Sequence, residues 1–143
     1  MANSLYPCLW FQGEAMQAAM FYCSIFPNSE ITDSNQWVVR CQLNGATVMC
    51  LNGRKRFEFN EAMSLVVECE NQTEIDHYWD RLTEGGAAGQ CGWLKDRYGV
   101  SWQIVPVVLS ELMGDPEKSP VVVERFLKMS KFDIEALKAG WDK

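Results

Sequence analysis

Residues 90–106 read QCGWLKDRYGVSWQIVP, and the fold is decided by how this stretch is parsed. Asp96-Arg97-Tyr98-Gly99 has turn chemistry, because an aspartate can bond nearby backbone amides and glycine accepts a left-handed conformation. On either side, Gln90 to Lys95 and Val100 to Pro106 are dense in aromatic and branched residues and read as two strands of a hairpin. Two tryptophans beside Cys91, Lys95, Asp96 and Gln103 also have the composition of a small-molecule pocket, with apolar walls and a few orienting polar groups. A packed sheet uses the same residue types.

Upstream of the hairpin, Thr73 to Thr83 carries Ile75, Tyr78, Trp79 and Leu82 at helical spacing, and Glu84-Gly85-Gly86 ends it. Before that helix, Ala62 to Cys69 (AMSLVVEC) reads as a strand. The first half of the chain has the same order. Leu5 to Phe11 reads as a strand, and Glu14 to Phe26 as a helix with Ala15, Ala18, Ala19, Tyr22 and Phe26 on one stripe. Trp37 to Leu43 and Ala46 to Leu51 form a hairpin about Asn44-Gly45. Phe21-Tyr22 recurs as Tyr78-Trp79, an offset of 57 residues that also sets Pro7 over Ser64. The shared offset points to a duplicated module, since neither half alone could close a core. Past Pro106, helical patterns at Leu109 to Met113, Val121 to Met129 and Ile134 to Trp141 form a tail that could pad the sheet, cover a pocket or dock on a partner subunit.

Composition narrows the function. At 143 residues, 48 % hydrophobic and 22 % charged, the chain has the balance of one folded domain rather than of disorder. A formal charge of −6 disfavours nucleic acid, and Arg54-Lys55-Arg56 is too small a basic patch to reverse that. No apolar run approaches the roughly 20 residues of a membrane span, and MANSLYPCLW lacks the features of a signal peptide. A cytoplasmic location is expected, with no membrane partner. The six cysteines are scattered without a Cys-x-x-Cys pair and read as small buried hydrophobes in a reducing compartment. Cys91 near Lys95 could be a reactive thiol, but no histidine lies nearby in sequence to serve as its base.

Several segments together resemble a known family. PCLWF followed by EAMQAAMFYCSIFPNS is similar to the opening of PhnB-like proteins. FEFNEAMSLVVEC, HYWDRLTEGG and above all QCGWLKDRYGVSWQIVP resemble the branch labelled demethylubiquinone methyltransferase-like. That branch belongs to the vicinal oxygen chelate superfamily, with glyoxalase I, bleomycin-resistance proteins and extradiol dioxygenases. The similarity spans about residues 5 to 142. It implies an α+β fold of two βαβββ modules, about residues 5–52 and 61–106, in a single domain with a helical tail at about 109–142. It also implies a homodimer whose modules enclose a cavity.

Metal-dependent members hold a divalent ion with His, Glu or Gln on inward strand positions, and the ion acts as a Lewis acid. Those positions fall here on Pro7, Ser64 and Gln103, a poor ligand set, and the one histidine, His77, lies on the second helix. No metal or other cofactor is therefore expected. A Rossmann-type methyltransferase needs a glycine-rich turn between a strand and a helix, whereas Gly85-Gly86 and Gly89 follow a helix and lead into strands. The expectation is a metal-free cavity for an apolar or aromatic small molecule, with Phe11, Trp93 and Trp102 as walls and Lys95, Asp96 and Gln103 as polar anchors. An enzyme of the superfamily, or the methyltransferase of the family label, is the alternative.

Overall fold

A computed structural model describes residues 3–141, which form two compact units dividing between Glu58 and Phe59. The first unit runs β1 (Cys8–Phe11), α1 (Ala15–Cys23), β2 (Glu30–Ser34), β3 (Val38–Leu43) and β4 (Ala46–Asn52). Its sheet has the order β1-β4-β3-β2, with β1 parallel to β4 and the other pairs antiparallel. The β3–β4 hairpin turns on Asn44 and Gly45, both at positive φ, as a tight two-residue hairpin loop requires. Leu9, Phe11, Val39, Cys41, Leu43, Val48 and Cys50 are buried on one face, together with Ala15, Ala18, Ala19 and Tyr22 of α1. Three alanines let the helix backbone approach the sheet, and each fully buried Val, Leu or Phe contributes roughly 1.5–3 kcal/mol. Glu14 makes no side-chain cap for α1; the side chain of Asn52, at the end of β4, accepts from Ala15 N (2.8 Å) and Gly13 N (3.1 Å) instead.

The second unit repeats the plan with β5 (Ser64–Cys69), α2 (Gln72–Thr83), β6 (Ala87–Ala88), β7 (Trp93–Lys95) and β8 (Ser101–Pro106) in the order β5-β8-β7-β6. Again the first strand runs parallel to the last. Asn71 caps α2 by accepting from Glu74 N (2.9 Å), and Glu74 reaches back to Glu70 N (2.7 Å), a reciprocal pair close to a capping box. Ile75, Trp79 and Leu82 are its buried stripe, while Tyr78 is half-buried. The α+β architecture of two like modules is therefore present, and the tail follows as α3 (Val108–Met113), α4 (Ser119–Phe126) and α5 (Ile134–Leu137).

Several sequence-based boundaries move. Gln90 to Gly92 is not strand: Cys91 (φ 57°) and Gly92 (φ 82°) turn left-handed, and their amides donate to Met129 O and Ser130 O, both at 2.8 Å. Val100 lies in the turn, with its amide on the Asp96 carboxylate, and Trp37 precedes β3. Strands β2 and β6 are additions, and α5 is shorter than the helix expected over Ile134 to Trp141.

The tail packs on its own second unit. Gln72 Nε2 donates to Phe132 O, its Oε1 accepts from Ile134 N, both at 2.9 Å, and Lys131 pairs with Asp76 at 2.7 Å. Phe132 is buried where a Cβ on Gly92 would collide with its ring. All six cysteines are free, with Cys41, Cys50 and Cys69 buried. Among the described residues no helix is long and apolar enough to cross a membrane.

Candidate functional site

Strand pairing assigns each side chain of the second sheet to a face. Trp93 sits opposite Gln103, which sits opposite Val66; Lys95 sits opposite Ser101, which sits opposite Ser64. Directly opposed residues share a face, and neighbours along a strand alternate. Leu94, Trp102 and Ile104 therefore share the other face, which packs with α2 and is closed to solvent. The first face remains open: Trp93, Lys95, Gln103 and Ser64 are half-buried and Val66 is 55 % exposed.

On this open face, at the β6–β7 edge, lies a pocket of about 220 Å³. Ala87, Ala88 and Trp93 supply apolar lining, and Lys95 and Glu61 stand at the rim. Lys95 Nζ pairs with Glu61 Oε2 at 2.9 Å, and the Lys95 hydrogen bond holds the Glu61 carboxyl below its ordinary value. Ser101 also lines the pocket and is only 1 % exposed, yet among the described residues its Oγ has no hydrogen-bond partner. A buried hydroxyl left unbonded costs about 1–3 kcal/mol, which makes this position in the pocket lining one that a new hydrogen-bond acceptor would relieve. Just beyond, Gln103 Nε2 donates to Ser64 Oγ at 3.0 Å.

Local sequence builds this geometry. Gly89 N donates to Trp93 O (2.8 Å), and a Cβ on Gly89 would come within 2.8 Å of that same oxygen. A Cβ on Gly86 would likewise strike the Lys95 carbonyl. These glycines serve close approach of β6 to β7, which explains a run that sequence alone could compare only with cofactor loops. The tail contributes as well, because its bonds to Cys91 and Gly92 fix the turn from which Trp93 departs.

Of the six sequence-based candidates, Trp93, Lys95 and Gln103 come together on the open face. Phe11 is 1 % exposed in the buried layer of the first unit, and Trp102 is 2 % exposed on the α2 side of its sheet. Asp96, also 2 % exposed, accepts from Tyr98 N (2.8 Å), Val100 N (3.1 Å) and Trp102 Nε1 (2.9 Å), so it organises the turn beneath the sheet. Sequence reasoning missed Ser101 and Glu61. Ser101 could have been found from its alternation with Gln103, but its burial could not. Cys91 is fixed in the left-handed turn, while Lys95 is engaged with Glu61.

A larger groove of about 680 Å³ runs between the start of α2 (Glu70, Asn71, Gln72) and α5 with Trp141. Three of its polar side chains already serve the fold: Asn71 and Asp133 cap helices, and Gln72 bonds Phe132 and Ile134. The smaller pocket has a buried hydroxyl, Ser101 Oγ, without a partner among the described residues, and is the better candidate.

The positions that would carry a superfamily metal do not suit one. Pro7 offers no side-chain donor and its carbonyl accepts from Met49 N; Ser64 and Gln103 are neutral and bonded to each other. His77 is exposed on α2. Among the described residues, no three His, Cys, Asp or Glu side chains group so as to hold a metal ion. A site without an anionic or imidazole ligand binds divalent ions weakly.

Comparison with known proteins agrees with this architecture. Residues 3–105 match the family model described as 3-demethylubiquinone-9 3-methyltransferase. The PhnB protein from Bacillus cereus is 33 % identical, with a TM-score of 0.67 over 73 % of this chain and 100 % of its own. Protein PA1353 from Pseudomonas aeruginosa, 18 % identical, has a TM-score of 0.61 over 73 % of this chain and 98 % of its own. The fosfomycin resistance protein FosX from Listeria monocytogenes, solved with Mn(II) and sulfate, is 15 % identical at a TM-score of 0.61 over 80 % of this chain and 97 % of its own. The last two show likeness of fold alone. No curated protein matches the chain. The chain belongs to the 3-demethylubiquinone-9 3-methyltransferase family, as its likeness to the PhnB protein also indicates.

Proposed function

We propose that this protein binds a small apolar or aromatic molecule, without a metal, on the open face of its second sheet. Trp93 supplies the wall, and Lys95, Ser101 and Gln103 supply polar contacts. The observation that carries the reading is the Ser101 hydroxyl, buried, unbonded and lining a pocket with Trp93 and Lys95. Apolar walls with a few convergent polar groups are the usual make-up of a ligand site. Screening small aromatic fragments against ¹⁵N-labelled protein tests it: fragments should shift the amides of Ala87, Trp93, Lys95 and Ser101. A screen in which these amides never move would refute the reading.

The same reading takes the protein as a cytoplasmic homodimer, the assembly implied by its superfamily. It should sediment at about twice its 16.3 kDa chain mass, and a monomer at micromolar concentration would contradict this. An enzyme is the second reading, favoured by the family description. If the protein transfers methyl groups, S-adenosylmethionine should bind it at micromolar levels by calorimetry; no detectable heat of binding would remove that option.

A further inference from the structure

We propose that the occupant of the Ser101 pocket is a small carboxylate on a planar apolar body, its oxygens shared between the Lys95 ammonium and the Ser101 hydroxyl. This rests on the reading above that the pocket binds a small molecule, and it adds the charge and size of that molecule. Lys95 and Ser101 are directly opposed on β7 and β8, so both donors serve one end of the cavity. The remaining lining, Ala87, Ala88 and the Trp93 ring, suits a flat hydrocarbon. A volume of about 220 Å³ lies below the range of sites for drug-sized ligands and suits a single ring with one substituent.

The sign of the charge follows from which member of the ion pair can leave. The Lys95 backbone is held in β7 between two neighbouring strands, while its side chain, 43 % exposed, reaches the pocket rim. Glu61 precedes β5, outside any strand, and its side chain is 61 % exposed. Exposed ion pairs are worth little, so an incoming carboxylate replaces Glu61 on Lys95 at small cost. A cationic ligand would instead meet the Lys95 ammonium, whose backbone is fixed in β7 beside the pocket, and the like charges would repel. Ser101 then donates its proton to the second carboxylate oxygen and is no longer unsatisfied.

Three isosteric probes test this on the full-length protein: benzoate, benzamide and benzylamine, titrated at pH 7 with NMR mapping. Benzoate should bind at least about tenfold tighter than benzamide, the ratio expected of one charge-assisted hydrogen bond, and benzylamine should not compete. Lys95→Met should reduce benzoate to the benzamide level. Glu61→Gln should tighten benzoate several-fold, a gain that a purely structural role for the pair would not produce. Stronger binding of benzylamine, or weaker binding of benzoate by Glu61→Gln, overturns the proposal. Equal binding of benzoate and benzamide at Ser101 overturns the carboxylate class while the pocket reading stands. If none of the three moves Trp93, Lys95 or Ser101, both fail.

Discussion

Replacing Asp96 should destabilise the protein more than any other single change in the Asp96–Gly99 turn. Asp96 is 2 % exposed, and its carboxylate accepts hydrogen bonds from Tyr98 N, Val100 N and Trp102 Nε1. Asp96→Ala removes the acceptor of the Trp102 indole N–H and of the Val100 amide, both in residues no more than 3 % exposed. At about 1–3 kcal/mol for each buried donor deprived of its partner, the loss is roughly 2–6 kcal/mol. Set against a total stability of about 5–15 kcal/mol, that is a large share. Asp96→Asn retains an oxygen for the amides but turns an NH₂ toward the indole N–H, and should lose about 1–2 kcal/mol less than the alanine variant. Trp102→Phe in that background removes the donor–donor conflict, so the double variant should lose less than the two single losses added together. Urea unfolding followed by far-UV circular dichroism measures all of these. A midpoint for Asp96→Ala within error of the parent would refute the reasoning. So would an Asp96–Trp102 coupling below about 0.5 kcal/mol, the level expected of independent sites.

Ser101→Ala should leave stability unchanged or raise it by up to about 1 kcal/mol, because it deletes a buried hydroxyl that has no partner; a loss above about 1 kcal/mol in urea would show the hydroxyl is bonded within the protein. Gln72→Ala should cost roughly 1–3 kcal/mol and speed amide exchange at Ile134, since its side chain bonds both Phe132 O and Ile134 N; unchanged exchange would contradict the clamp. The Glu61 carboxyl should titrate below its ordinary 4.5, because Lys95 favours its charged form. A depressed folded-state value means that the stability it adds is present above the unfolded carboxylate value and is lost as pH falls through the folded one. In Lys95→Met the Glu61 carbon-13 titration should return toward 4.5, and an identical curve in both proteins would remove the ion pair from the account.

Much of the fold was readable because its signals are local. Asn44-Gly45 demands positive φ and so announces a hairpin, and Ile75, Trp79 and Leu82 keep helical spacing. The 57-residue offset carries Tyr22, buried in α1, onto Trp79, buried in α2. What escaped reading had no local signal. Strand β2 (EITDS) is almost wholly exposed, and β6 has two residues. The left-handed Cys91 is held by Met129, far along the chain. The site was half legible for a similar reason. Trp93 and Trp102 look equivalent in sequence, but Trp93 pairs with Gln103, so the two rings face opposite sides of the sheet. A register difference of one residue exchanges the faces, and composition does not encode it. Asp96 looks like an anchor until the pairing places it beneath the sheet, bonded to Trp102.

The central claim is that Trp93, Lys95 and Ser101 form a ligand site, and it is tested most directly by a crystal structure of the protein soaked with an aromatic fragment that binds in solution. The account predicts density against the Trp93 ring with a ligand oxygen within about 3 Å of Ser101 Oγ. A fragment seated elsewhere, such as the groove beside Trp141, with Ser101 still unbonded, would contradict it.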